Sequence, residues 1–138
     1  DQALLALMDV REHIEKDFAT VDIGASLRDL VQVVANSTRN IYPVVDDENT
    51  FYGIIFLDHI RHTMFKQELY DSTTVRSLMF KPSKVVNIDD DMETVAQKFQ
   101  HSGKYNLVVL DKDKYVGFVS RANVFSRYRQ ILKEFSEE

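Results

Sequence analysis

The stretch GFVSRAN, Gly117 to Asn123, ends an apolar run on a hydroxyl, a guanidinium and a side-chain amide. Read from the residues alone, Ser120 is a helix N-cap whose oxygen takes a backbone N–H of the following turn, and Asn123 is a residue on the helix surface. His59 and His62 stand at i, i+3 with Asp58 adjacent. That spacing puts both imidazoles on one side of a helix and would suit a metal ion, but sequence offers no further ligand, and solvated surface is the plainer reading. The run Asp89-Asp90-Asp91 could attract Mg²⁺; it reads more simply as capping and dipole matching at a helix start. His13 and His101 have no partner that sequence identifies. We find no nucleophile beside a base, no glycine-rich phosphate loop and no metal quartet, so neither an enzyme nor a metal site is expected.

The composition narrows the classes further. The chain has 138 residues, 44% hydrophobic and 28% charged, with four glycines and two prolines. This is globular rather than disordered, and large enough for one domain or two small ones sharing a core. A net charge of −5 gives a nucleic-acid partner no electrostatic support. With no cysteine, disulfides and thiolate metal sites are excluded, and a reducing compartment is compatible. No apolar run approaches the ~18 residues that span a bilayer, and no signal peptide is visible. Because the chain starts at Asp1 rather than Met, it is expected to be a piece of something longer.

The elements that must position these residues come in two copies. Gly53 and Gly117 stand 64 residues apart, and in the same register Val44-Val45 falls on Val108-Val109, Asp47 on Asp111 and Phe51 on Tyr115. Upstream the offset becomes 65, so that Val10-Arg11 falls on Val75-Arg76, Ile14 on Met79, Lys16 on Lys81 and Val21 on Val86. Leu27, Leu30, Val31 and Val34 fall on Met92, Val95, Ala96 and Phe99, the i, i+3, i+4, i+7 stripe of an amphipathic helix, with Ser26 and Asp91 as N-caps. Each copy therefore predicts a short strand (20–22; 84–88), that helix, two strands (41–46 and 51–56; 105–110 and 114–120) and a closing helix (about 57–66; 121 to about 135). Short polar turns, DENT and DKDK, make each strand pair a hairpin. Residues 67–72 would link the copies, and a copy of this size buries too little surface to be comfortable alone.

A tandem β-α-β-β-α repeat ending in G-h-h-[ST]-x-x-[DN] resembles the CBS domain pair, or Bateman module. The residues that carry the resemblance are GFVSRAN, its partner GIIFLDH (Gly53 to His59), the strands IYPVVD and YNLVVLD, and the lead-ins VREHI and VRSLM. The likeness covers Val10 to about Phe135. It implies an α+β (α/β) fold of two CBS repeats packed sheet to sheet around a pseudo-two-fold axis: a leading helical segment over 1–9, repeat 1 over 10–70 and repeat 2 over 71–138. More narrowly, GIIFLDHIR and the ending VFSRYRQILKEFSEE resemble the cytoplasmic C-terminal module of bacterial ClC-type chloride channels and transporters.

The resemblance also implies a ligand. In nucleotide-binding members, the hydroxyl and helix-start N–H groups of S/T-x-x-D take phosphate while the carboxylate takes the ribose hydroxyls. Here Ser120 fills the first position, Asn123 replaces the acid, and Arg121 could meet a phosphate. Matching positions of the adenine slot are Thr20, Val21, Asn40, Tyr42 and Pro43, with Arg39 available to stack on a base. Repeat 1 departs further, with Phe56 in place of Ser or Thr and His59 in place of Asp. A second, weaker cleft is therefore expected around Asp58, His59, Val86 and Tyr105, with Asn87, Lys104 and Asn106 alongside. The expected ligand is ATP, ADP or AMP, and no cofactor is required.

The expected function is a regulatory module at the cytoplasmic face of the cell membrane, attached to an upstream transmembrane channel or transporter domain and modulating its gating or transport. The alternative is a ligand-free dimerisation module. The stripe Val124, Phe125, Tyr128, Ile131, Leu132, Phe135 reads as core, or as the homodimer surface that helices of such pairs form. The leading ALLALMDV is expected to pack on the module, a second subunit or an upstream domain.

Overall fold

A computed structural model describes residues 2–136. In chain order it contains α1 (Gln2–Leu5), a 3-10 turn (Val10–His13), β1 (Ile14–Glu15), β2 (Val21–Asp22), α2 (Leu27–Ala35), β3 (Ile41–Val45) and β4 (Phe51–Phe56). There follow α3 (Leu57–Ile60), a 3-10 turn (Gln67–Leu69), α4 (Val75–Leu78), β5 (Val86–Asn87), α5 (Met92–Ser102), β6 (Asn106–Asp111), β7 (Lys114–Ser120) and α6 (Arg121–Ser136). The mixed α+β architecture with a doubled plan is the expected one.

The chain forms two compact units, and they do not follow the repeat boundaries. The repeat-1 unit takes Asp17–Pro82 and Asp113–Tyr115; the repeat-2 unit takes the residues through Lys16, Ser83–Lys112 and those from Val116 on. Each lead-in therefore belongs to the other repeat's unit. In the repeat-2 unit the sheet order is β1-β7-β6-β5, with Ile14 opposite Val119 and Glu15 opposite Phe118 in antiparallel register. In the repeat-1 unit β2, β3 and β4 form the sheet, and Phe80 stands opposite Ile54, each accepting the other's N–H at 2.8 Å. Glu15 and Phe80 are equivalent positions of the two lead-ins, so the exchange is reciprocal.

This exchange explains the repeated glycine. A Cβ at Gly117 would lie 2.5 Å from the Glu15 carbonyl oxygen and 2.6 Å from Ile14 Cγ2; one at Gly53 would lie 2.8 Å from the Phe80 carbonyl oxygen. Only glycine lets the lead-in backbone approach that closely.

Local signals behave as their chemistry dictates. Ser26 and Asp29 form a reciprocal capping box on α2, and Asp91 accepts the Thr94 N–H at 2.8 Å to cap α5. In the first hairpin turn Asp46 accepts N–H groups from Glu48 and Thr50 and the Tyr52 hydroxyl; the Thr50 N–H foremost holds its carboxyl below the usual range. The helical stripes bury Leu27 and Leu30 in the repeat-1 core, and Met92, Val95 and Phe99 in the repeat-2 core, each side chain contributing ~2 kcal/mol. Leu4 and Met8 of the leading segment join the repeat-2 core, as do Val124 and Ile131 of α6.

Some expected boundaries move. The closing helix of repeat 1, expected over 57–66, is regular only over Leu57–Ile60: it starts on Phe56, which offers no side-chain cap. Its partner α6 runs to Ser136. The two leading strands shrink to residue pairs, because each has only one neighbour to register against, β3 for β2 and β6 for β5.

Candidate functional site

The sharpest local geometry lies where β7 meets α6. Ser120 Oγ accepts the Asn123 N–H at 3.2 Å, so the hydroxyl is the N-cap that its place in the sequence suggests. The Arg121 N–H donates to the Tyr105 carbonyl at 2.9 Å, tying the helix start to the mouth of β6. Asn123 Nδ2 donates to Glu15 Oε1 on β1 at 2.9 Å. The Arg121 guanidinium lies over the Phe125 ring, 5.3 Å from its centroid.

A cavity of about 470 Å³ opens here, within the repeat-2 unit. Tyr105 and Asn106 form one wall. Ser120, Arg121, Ala122, Phe125 and Arg129 form the other. The lining holds two guanidiniums, two aromatic rings, a hydroxyl and an amide, and no carboxylate. Tyr105 is 75% exposed, so one ring face is open for a planar ligand. Such a lining suits an anion joined to an aromatic ring.

Several expectations need correction. Tyr105, assigned to the weaker cleft, shares its cavity with Ser120 and Arg121, because β6 and β7 are sheet neighbours. Asn123 turns to Glu15 and is not on the cavity wall. Tyr42 has 0% exposure: its ring is in the repeat-1 core and its hydroxyl donates to the Arg39 carbonyl. Its side chain is a packing element and offers a ligand nothing. The Val21 and Val86 side chains are core for the same reason, since β2 and β5 turn them inward. Pro43 is buried too, whereas Thr20 and Asn40 are exposed. All of Thr20, Val21, Asn40, Tyr42 and Pro43 belong to the repeat-1 unit. Arg39, expected to stack on a base, stacks on Phe18 at 4.3 Å and donates from Nε to the Asp17 carbonyl at 3.0 Å.

The equivalent corner of repeat 1 repeats the backbone and changes the chemistry. The Leu57 N–H donates to the Asn40 carbonyl at 2.9 Å, matching Arg121 and Tyr105. Phe56 stands in Ser120's place, packed edge-on against Phe80 at 5.8 Å and tilted against His59 at 5.2 Å. Asp58 accepts from Arg61 Nε at 3.1 Å. His59 is thus an aromatic packing partner and Asp58 half of a surface ion pair. Among the described residues no group of three metal-ligating side chains converges. The Asp89-Asp90-Asp91 run is structural: Asp89 pairs with Arg11 at 2.7 Å, Asp90 with Lys98 at 2.6 Å, and Asp91 caps α5.

Sequence reading missed Phe125 and Arg129 as cavity residues. Their signal was their spacing: Arg121, Phe125 and Arg129 recur every fourth residue and so form one ridge along α6. The apolar stripe through Phe125 reads as packing instead.

The CBS domain family model matches residues 10–66 and 75–130. The solved CBS domain of a bacterial CNNM/CorC-family Mg²⁺ transporter, in complex with ATP, is similar at a TM-score of 0.75 and 17% identity, over 93% of this chain and 92% of that one. The CbpB structure in complex with c-di-AMP is similar at a TM-score of 0.76 and 15% identity, over 99% and 94%. At those identities the likeness speaks for the fold. A curated homoserine O-acetyltransferase of Methanococcus vannielii is 24% identical over 116 residues, 83% of this chain. The chain spans about a quarter of that relative's length, 24%.

Proposed function

This chain belongs to the CBS domain family, and from that premise we propose that it is a regulatory module which binds an adenine nucleotide (ATP, ADP or AMP) in the repeat-2 cavity. The observation that carries the reading is the lining: Arg121 and Ser120 for phosphate, Tyr105 for the base, with no carboxylate among them. The ATP and c-di-AMP held by the two solved CBS structures agree with a ligand of this chemistry. Binding would favour one of two arrangements of the module and so bias an attached protein. A catalytic role is not proposed, since the acetyltransferase match covers only 24% of that enzyme.

The attached protein, on this reading, is a membrane transporter, with the module at its cytoplasmic face. Among the described residues no helix is long and apolar enough to cross a membrane. Attachment to a ClC-type chloride channel or transporter rests on GIIFLDHIR and the α6 ending alone; neither solved structure above is of that kind.

A thermal-shift titration tests the reading. At about 100 times Kd, linkage adds ~3 kcal/mol, or roughly 8 °C for a chain of this size. Tyr105→Ala and Arg121→Gln are expected to remove most of the shift. No shift with any adenine nucleotide at millimolar concentration refutes the site. That result would favour the second reading, a homodimerising structural module, for which the specific observation is that Leu132 and Phe135 on α6 are 46% and 51% exposed.

A further inference from the structure

The N–H groups at the start of α6 are largely taken: that of Arg121 by the Tyr105 carbonyl, that of Asn123 by Ser120 Oγ. A phosphate in this cavity must therefore be held chiefly by side chains. Two guanidiniums line it, Arg121 and Arg129, and among the described residues neither pairs with a carboxylate. They stand eight residues apart on α6, about 12 Å along the axis at 1.5 Å per residue. The Arg121 guanidinium leans along the helix over Phe125, which is the residue midway between them. A single phosphate beside Arg121 leaves Arg129 unpaired, whereas a chain of phosphates laid over Phe125 reaches both. Ribose meets only the neutral Ser120 hydroxyl and Asn106 amide. The cavity wall carries no carboxylate, and Asn123, the residue at the acid position, is tied to Glu15.

We propose that this cavity selects its occupant by the length of its phosphate chain and not by its ribose hydroxyls, with Arg129 as the residue that reads the distal phosphate. The inference rests on the nucleotide reading above. Arg129 is exposed on α6, so replacing it leaves the core untouched. Nothing in the sequence marks it apart from its place on the ridge.

The test is calorimetric titration of the 138-residue chain with ATP, ADP, AMP and 2′-deoxy-ATP at fixed free Mg²⁺, repeated on Arg129→Gln. Arg127→Gln removes an α6 cation that does not line the cavity and controls for net charge. One charge-assisted contact corresponds to about tenfold in Kd. ATP is therefore expected to bind about tenfold tighter than AMP, and 2′-deoxy-ATP within about twofold of ATP. Arg129→Gln should weaken ATP about tenfold while moving AMP less than about twofold, with melting temperature unchanged. The proposal is overturned if AMP and ATP bind alike, if Arg129→Gln weakens both equally or neither, if Arg127→Gln has the same effect, or if the deoxy analogue is rejected. Absence of binding by all four ligands instead removes the nucleotide reading itself, and this inference with it.

Discussion

Replacing Gly117 by alanine tests the exchanged lead-in directly. The added Cβ would meet the Glu15 carbonyl oxygen at 2.5 Å and Ile14 Cγ2 at 2.6 Å, where ordinary contact begins near 3.4 Å. Because the nearest atom is backbone, no side-chain rotation relieves it. Strand β1 must move away from β7 by nearly 1 Å. Two consequences follow: the ladder pairing of Ile14 with Val119 and of Glu15 with Phe118 weakens, and the Glu15 carboxylate withdraws from Asn123. Overpacking costs about 1–3 kcal/mol, and each disturbed hydrogen bond about 1 more. We expect a loss of about 3 kcal/mol, a fall of roughly 10 °C in melting temperature. Gly53→Ala, whose Cβ would lie 2.8 Å from the Phe80 carbonyl oxygen, should lose somewhat less. Gly103→Ala is the control: nothing lies within 4 Å of its Cβ, but its φ of +66° penalises any side chain by about 1 kcal/mol. Chemical denaturation of the three variants gives the order. If Gly117→Ala costs no more than Gly103→Ala, the close passage of β1 over β7 is wrong.

Two further substitutions test packing and charge. Tyr42→Phe removes only the hydroxyl that donates to the Arg39 carbonyl; it should cost about 1 kcal/mol in denaturant and leave nucleotide affinity unchanged, whereas a loss of affinity would return Tyr42 to the ligand site. His13 tests charge. Burial lowers its pKa below 6.5, opposed chiefly by Glu12, with Arg127 adding to the lowering and Asp9 to the opposition. The unfolded chain thus takes up this proton first, so the contribution of neutral His13 is complete above 6.5 and shrinks as pH falls below it. His13→Gln should flatten the stability profile as pH falls below 6.5, and an unchanged slope would refute the assignment.

The fold was legible in the sequence because both copies obey the same periodicities. Ser26 and Asp91 cap where predicted, Phe51–Phe56 and Lys114–Ser120 are strands to the residue, and the paired glycines occupy equivalent places in those strands. What the order of residues could not display was partnership between the copies. Proximity in sequence places each lead-in with its own repeat, whereas Ile14-Glu15 pairs with β7 and Phe80 pairs with Ile54. The site was half legible for a related reason. Ser120, Arg121 and Tyr105 stand out in the sequence, but it does not display that Tyr105 shares Ser120's cavity or that Tyr42 is fully buried. An alternating strand pattern says that successive side chains face opposite ways, not which way faces the ligand. Arg129 lay beyond any motif, visible only once α6 was known to run on past its first turn.

The difference between the two copies then has a single physical origin, the residue at which the third strand of the repeat becomes a helix. In repeat 2 that residue is Ser120: its hydroxyl caps α6, the helix runs on to Ser136, and a cationic ridge of Arg121 and Arg129 is carried along it beside an open aromatic wall. In repeat 1 it is Phe56. No side chain caps α3, which loses regularity after Ile60, and the ring fills its corner with Phe80 and His59. That one position thus decides whether the helix start is capped and whether the corner is filled by a ring. Both copies share the same strand-to-helix turn, and the cationic lining proposed to hold an anion stands at the hydroxyl-capped one.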